Sequence, residues 1–326
     1  MNLVQKAILH GGRLAPIAIP DTFGGMNPSI FIDDDGEILV NVRVVNYILY
    51  HSENQQHFPS RWGPLAYLHP ENDLRLVTEN YLVRLNLDLQ MINCTQVKMK
   101  NLHTPIWDFH GLEDARLVQW NGVYYLIGVR RDTTPNGQGR MEYTTISLNK
   151  KKWTAKEVAR KRIVAPGSND SYCEKNWMPI LDRPFTFVKW CSPVEVVHSF
   201  PDQPETDQLS LKQGIQPPKD QRGGSQLIRW GNQYISITHE VDLTPNYRGQ
   251  KDAIYRHRLC VWDDDLNLVG LSQEFSFLDG KVEFCVGIAK YQEDLLVSFS
   301  LSDNAAFVLK ITKPVVEDLI VEALNA

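Results

Sequence analysis

The sequence offers no pair of cysteines at a working spacing. Its five cysteines, Cys94, Cys173, Cys191, Cys260 and Cys285, are scattered and form no CxxC. That argues against a structural zinc site and against a disulfide framework. Cys260 and Cys285 sit in apolar runs and read as small buried hydrophobes. A reducing, cytoplasmic setting is expected. A basic excess is also missing: the net charge is −5 and the pI is near 6.0. A bulk nucleic-acid binder normally carries the opposite balance, so none is expected here. No apolar run approaches the roughly 20 residues that cross a bilayer. Residues 1–20 lack an apolar core followed by a small-residue cleavage site, so neither a membrane span nor a signal peptide is expected. There is no HExxH and no Gly-Lys-Ser/Thr phosphate loop, hence no metal and no cofactor are expected. Helical periodicity is scarce; only Val315 to Leu324, after Lys313-Pro314, predicts a short C-terminal helix.

What the chain has is strands. Its 326 residues are 43% apolar, enough for a large core. Ser29–Ile32 and Glu37–Val44 flank the turn Asp33-Asp34-Asp35-Gly36, which reads as a solvated hairpin turn because the ligand spacing of a calcium loop is absent. The same strand-turn-strand unit returns around Asn121-Gly122, Gly231-Asn232, Asp263–Asp265 and Tyr291–Asp294. Many short strands with turn signals throughout predict a sandwich, barrel or propeller, and strand pairs at intervals of very roughly 50 residues favour a propeller of about five blades. His198 to Arg222, rich in Pro, Gln and Asp, reads as a long surface loop.

Four compact polar motifs lie beside these strands. In Gly111-Leu112-Glu113-Asp114-Ala115-Arg116, two carboxylates and a guanidinium lead into an apolar strand. A carboxyl of tuned pKa can move a proton at a glycosidic oxygen, and Asp114 is the candidate; a structural salt bridge at a strand start is the other reading. Strand alternation turns Glu113 the other way and sets Arg116 on the Asp114 face, where it could hold that charge or a phosphate. In Glu174-Lys175-Asn176-Trp177, Lys175 could bind phosphate, Asn176 sugar hydroxyls, and Trp177 a sugar face; a turn with a buried Trp is the alternative. Arg222-Gly223-Gly224-Ser225 has the composition of an anion-binding turn. His239-Glu240 stands at the far end of the hairpin that follows, and Tyr255 and His257 share one face of the next strand. Asn27-Pro28-Ser29, Arg43 and Asp303 complete the polar set.

The Gly111–Arg116 stretch resembles the Gly-[Val/Leu]-Glu-Asp-Pro-Arg signature of the β-mannoside phosphorylases and the related β-1,2-mannosyltransferases, with Ala115 in place of Pro. Asn27-Pro28-Ser29 with Arg43 resembles the family's first-blade sugar-binding segment. Lys175-Asn176 falls where the family has a phosphate-binding lysine. His239 with Tyr255 resembles its His…Tyr pair, and Glu283-Phe284 and Asp303 resemble the closing blade. The likeness runs from about Asn27 to Asp303. Glu-Lys-Asn-Trp-x-Pro, Arg-Gly-Gly-Ser and Tyr-x-His-Arg look closer to a glycosyltransferase-associated branch of the same superfamily.

The resemblance implies an all-β, five-bladed β-propeller, here residues 1–326 as a single domain, with its active site on the axis. It implies inverting glycosyl transfer, mannosyl in type, between a sugar acceptor and a sugar-phosphate or nucleotide-sugar donor. Asp114 would be the catalytic proton donor or acceptor. Asn27, Ser29, Arg43, Glu113, Asn176, Trp177 and Asp303 would bind sugar. Arg116, Arg130, Lys175, Arg222, His239 and Tyr255 would bind phosphate, with Arg131 nearby. A glycoside hydrolase, which would need Glu240 or Glu283 to activate water, and a non-catalytic carbohydrate-binding propeller are the competing readings.

Overall fold

The computed structural model describes residues 1–22, 24–49, 67–68, 75–100, 104–134, 137–163, 173–200, 208–245 and 251–326. Strands dominate, arranged as successive antiparallel quartets. Gly25–Ile32, Ile38–Val45, Leu76–Leu85 and Met91–Lys98 form the first. Glu113–Trp120, Val123–Arg130, Arg140–Asn149 and Thr154–Arg162 form the second. Two parallel residue pairs, Ala155 with Val97 and Lys156 with Lys98, fuse these two into one hydrogen-bonded path. The third quartet is Met178–Pro179, Thr186–Cys191, Val194–His198 and Gln208–Lys212; the fourth is Ile228–Trp230, Gln233–Pro245, Lys251–Trp262 and Leu268–Leu271. The last has three C-terminal strands, Glu283–Tyr291, Asp294–Leu301 and Ala305–Ile311. The N-terminal strand Arg13–Ile17 completes it by pairing with Ala305–Ile311.

The hairpins read from the sequence are present, and each belongs to one of these quartets. The turn residues explain their registers. Asn121 and Gly122 both take positive φ, 53° and 76°, as a two-residue hairpin turn that matches strand twist requires. Asp33 is not a solvated turn residue: it is 5% exposed, caps the backbone N–H of Asp35 and Glu37, and pairs with Lys150 at 2.5 Å and the Tyr124 hydroxyl at 2.8 Å. It thereby ties the first quartet to the second.

The C-terminal helix is Lys313–Asn325, with Pro314 in its first turn. A second helix, Leu3–Leu9, went unread in the sequence. It is short, and it is held by a capping box between Asn2 and Gln5 and by burial of Leu3, Val4 and Ala7. Both helices pack on one core shared by the fourth and last quartets. Within the expected loop His198 to Arg222, Gln208–Lys212 is an edge strand paired with Val194–His198; residues 201–207 lie outside the described residues.

The inner strands are covered on both faces and read as continuous apolar runs; seven of the eight residues of Gly25–Ile32 are buried. Buried polar side chains stitch them together. Gln226 Nε2 donates to the Ile30 carbonyl at 2.8 Å and the Ile288 carbonyl at 2.6 Å. Ser29 Oγ accepts from Leu117 N at 3.0 Å, and Ser298 Oγ accepts from Ile30 N at 3.0 Å. Asn41 and Asn80 donate to the carbonyls of Ala115 and Leu112, both at 3.0 Å.

Because Gln226 serves carbonyls from two other quartets, Gln226→Leu should destabilise more than a surface change. Each carbonyl left dry costs about 1–3 kcal/mol, read as a lower midpoint in denaturant unfolding at unchanged slope.

Candidate functional site

The inner strands do not run straight into the middle of the molecule. The pairing register slips between Met26 and Ser29 in the first strand and between Arg116 and Glu113 opposite Val129 and Ile127 in the second quartet. At these bulges Asn27 and Asp114 take left-handed φ, 47° and 49°. Asn176 (62°) and Asp303 (49°) do the same elsewhere. Asn and Asp tolerate that region better than other side chains bearing a Cβ. A bulge re-aims a side chain that strict alternation would send elsewhere. Here all four line one cavity of about 180 Å3.

Every part of the chain contributes to that cavity. Met26, Asn27, Arg43 and Tyr47 come from the first quartet and its edge, and Asp114 from the second. Lys175 and Asn176 come from the approach to the third, and Arg222, His239 and Tyr255 from the fourth. Phe284 and Asp303 come from the last. Met26, Tyr47 and Phe284 were not singled out as binding residues. Tyr47 carried a faint signal, four residues beyond Arg43, whose Nη2 donates to its hydroxyl at 2.7 Å.

Asp114 sits at the centre of the polar contacts. Its Oδ1 accepts from Arg43 Nη1 at 2.7 Å and from Asn27 Nδ2 at 2.6 Å; the second oxygen takes no hydrogen bond among the described residues. Asn27 is itself oriented, because its Oδ1 accepts from the buried Ser300 hydroxyl at 2.6 Å. Burial works to raise the Asp114 pKa, but Arg43, the Asn27 amide and Arg116 outweigh it and hold the carboxyl at about 2. The group is an anion at neutral pH.

Across the cavity, Lys175 and Arg222 have no side-chain hydrogen bond or ion pair among the described residues. His239 stacks on Tyr255, 5.4 Å between centroids and 11° between planes, and meets the Phe284 edge at 4.8 Å. Burial pushes His239 well below the usual imidazole range, with His257, Arg222, Lys175 and Arg116 adding to it. It is therefore neutral, and its Nδ1 is buried without a hydrogen-bond partner among the described residues. Burial, then Asp303 and Asp114, push the Tyr255 phenol up to about 12, so it stays a hydroxyl.

Several expected site residues are committed elsewhere. Arg116 is 1% exposed, and its guanidinium donates to the Gly224 carbonyl at 3.1 and 2.7 Å and to the Asp114 carbonyl at 2.7 Å. It fixes backbone and does not line the cavity. Arg130 is clamped between Glu142 at 2.8 Å and Asp132 at 3.0 Å. Arg131 and Arg43 lie 3.5 and 3.7 Å from Glu113, which also stays off the cavity wall. Ser29 is a buried bridge between strands, as above. Trp177 is fully buried against Phe187, with its indole N–H on Glu174 at 2.9 Å, so it presents no stacking face to the cavity.

The glycines after Arg222 serve packing. A Cβ on Gly223 would lie 1.8 Å from the Asn176 carbonyl, and one on Gly224 would lie 2.3 Å from the Ile237 carbonyl. Glu283 is spent on the N–H groups of Phe277, Leu278 and Gly280 at 2.6–2.9 Å. Glu240 is spent on Gln221 at 2.8 Å and Arg258 at 3.1 Å. Neither of these two faces the cavity, which removes both as water-activating groups. Among the described residues, no three His, Cys, Asp or Glu side chains group as a metal ion would require.

No protein-family model matches the sequence, and no curated protein matches it. Solved structures do match by shape. The β-1,2-mannobiose phosphorylase from Listeria innocua, in complex with β-1,2-mannobiose, is 13% identical, covers 95% of this chain and 94% of its own, and gives a TM-score of 0.56. A structure from the GH130 family of mannoside phosphorylases, which contains glycoside hydrolases that target β-1,2 mannosidic linkages in Candida mannan, is 12% identical. It covers 89% of this chain and 85% of its own at a TM-score of 0.58. A glycosyl hydrolase from Bacteroides ovatus is 11% identical over 89% and 84%, at 0.54. At these identities the finding is a shared all-β fold.

The Asp114 anchor is testable without a substrate. Its folded pKa of about 2 lies below the ordinary 3.8. Its stabilisation is therefore complete above the unfolded pKa and is lost as pH falls through the folded one. Wild type should exceed Asp114→Asn by on the order of 2 kcal/mol at neutral pH, with the gap closing between about pH 4 and pH 2 in urea unfolding. A gap independent of pH would remove the assigned charge.

Proposed function

We propose that this chain is a carbohydrate-active enzyme that transfers a glycosyl unit, mannosyl in type, between a phosphate-bearing donor and a sugar acceptor with inversion. In the same reading, residues 1–326 are one domain whose quartets are the five blades of a β-propeller, with the reaction on its axis, in a reducing, cytoplasmic setting.

One observation carries the reading: an ionised carboxylate with one oxygen pinned and the other open shares a cavity with two cations that have no carboxylate partner among the described residues. A sugar alone does not need Lys175 and Arg222; a phosphate does. In the transfer direction, Asp114 takes the proton of the acceptor hydroxyl as that oxygen bonds to the anomeric carbon. The bond from that carbon to the phosphate oxygen breaks, and its electron pair leaves with the phosphate, stabilised by Lys175 and Arg222. In reverse, phosphate attacks and the glycosidic oxygen needs a proton. A bound phosphate brings negative charge towards Asp114 and raises its pKa, so the anion of the empty site can become the acid of the loaded one. Neutral His239 and the Tyr255 hydroxyl are suited to hydrogen-bonding phosphate oxygens without adding charge. Asn27, Arg43, Asn176 and Asp303 line the same cavity, which supports reading them as the residues that meet sugar hydroxyls. The mannosyl assignment draws on the signature at Gly111–Arg116 and on the shared fold. Hydrolysis is disfavoured because Glu240 and Glu283 are spent elsewhere.

Donor and acceptor sugars incubated with the protein should give a glycoside and released phosphate or nucleotide only when both are present. Asp114→Asn should lower kcat by roughly 10²-fold or more while leaving donor binding measurable, and Lys175→Ala or Arg222→Ala should mainly raise the donor KM. Unchanged turnover in Asp114→Asn would end the proposal.

A further inference from the structure

Two serines on one strand reach the bulge that carries Asn27. Ser298 and Ser300 are two apart in Asp294–Leu301, so their side chains share a face. Both are buried. Ser298 is spent on backbone: it donates to the Pro28 carbonyl at 2.5 Å and accepts from Ile30 N at 3.0 Å. Ser300 meets a side chain instead, donating to Asn27 Oδ1 at 2.6 Å. The first serine therefore holds the bulge in place, and the second decides which way the Asn27 amide faces. Asn27 keeps a φ of 47° to reach this spot, a conformation that lasts only where the surroundings enforce it.

The direction of that amide matters at Asp114. Asn27 Nδ2 and Arg43 Nη1 both donate to Oδ1. With two hydrogens already aimed at it, Oδ1 is a poor place for a third, and a proton arriving from a substrate goes to Oδ2. Turned over, the amide would set its carbonyl oxygen where Nδ2 now stands, 2.6 Å from Oδ1. Two acceptors at that separation need a hydrogen between them. The reversed amide would thus favour a neutral Asp114 with its hydrogen on Oδ1, turned to Asn27 and lost to the reaction. Reversal would also present an N–H to Ser300. The buried hydroxyl would lose its acceptor, and it makes no other hydrogen bond among the described residues.

Building on the transfer reading above, we propose that Ser300 is a positioning residue for the proton transfer: it holds the Asn27 amide with its nitrogen towards Asp114 and so confines the transferred proton to Oδ2. Burial opposes ionisation of Asp114, and Arg43 and then the Asn27 N–H overcome it. Ser300 acts on the second of these. A hydroxyl donating to the amide oxygen also polarises the amide and strengthens its N–H as a donor.

Variants of the full chain test this. Ser300→Ala should lower kcat about tenfold, with the donor KM changed by no more than about twofold because Lys175 and Arg222 are untouched. The acid limb of the kcat profile reports the base of the loaded enzyme and should move up by about one pH unit. Ser300→Cys, close in size but a weak donor, should behave as Ser300→Ala does. Ser300→Thr keeps the hydroxyl and should restore both readings. In an Asn27→Gly background the amide is gone and glycine accepts the φ, so Ser300→Ala should add nothing. A substrate-free arm uses the stability gap between the native carboxylate and Asp114→Asn. In the Ser300→Ala background that gap should close at a higher pH than it does beside the native serine. Ser300 variants that lose stability while the acid limb and the closing pH stay put would overturn the proposal, as would additive effects of Ser300→Ala and Asn27→Gly. If the gap moves as expected and no glycosyl transfer is found, the positioning role stands and the transfer reading fails.

Discussion

The ion pair between Arg43 and Asp114 is the constraint around which the cavity is built. It is short and sheltered, and it joins the second strand of the first quartet to the first strand of the next. A buried charge left alone would be expensive, so each member enforces the place of the other. Asn27 adds a neutral donor from a third strand, and Ser300 fixes that amide from the last quartet. The chain that holds the carboxylate therefore crosses the seam where the end of the sequence meets its beginning. On the same seam, Ser298 bonds both the Pro28 carbonyl and the Ile30 N–H beside Asn27.

Around that anchor the charges fall into two groups. Arg116, Arg130 and Arg131 hold backbone or carboxylates, and Arg43 serves Asp114. Lys175 and Arg222 line the cavity with no side-chain hydrogen bond or ion pair among the described residues. Solvating two cations in a partly closed cavity beside a neutral His and a phenol favours an anionic ligand. Glu240 and Glu283 lie off the cavity wall and are engaged with other groups, so the carboxylates lining the cavity are Asp114 and Asp303.

Much of this was legible in the sequence. The Asn121-Gly122 turn, the Lys313-Pro314 helix start and the apolar strands announce themselves through short-range rules. Asp114 stood out because an acidic pair opens an apolar strand. The errors share one cause. Arg116 looked available because its partner, the Gly224 carbonyl, lies 108 residues away. Trp177 looked like a sugar platform, but Phe187 and Glu174 enclose it. Strand alternation sets Arg116 on the Asp114 face, whereas the register shifts between the Arg116–Ile127 and Glu113–Val129 pairs and Arg116 stays off the cavity wall. Gly223 and Gly224 suggested an anion loop, yet their missing Cβ atoms admit neighbouring carbonyls.

The amino-acid order by itself determined the alternation of strands and turns, the apolar inner strands and the placing of Asn or Asp at positions that take left-handed φ. These follow from backbone sterics and from neighbours a few residues apart. Only the tertiary structure decided which cations are spent on other groups and which line the cavity. A guanidinium has the same local chemistry wherever it stands; what it can bind depends on the carbonyl or carboxylate that a distant strand brings within three ångströms.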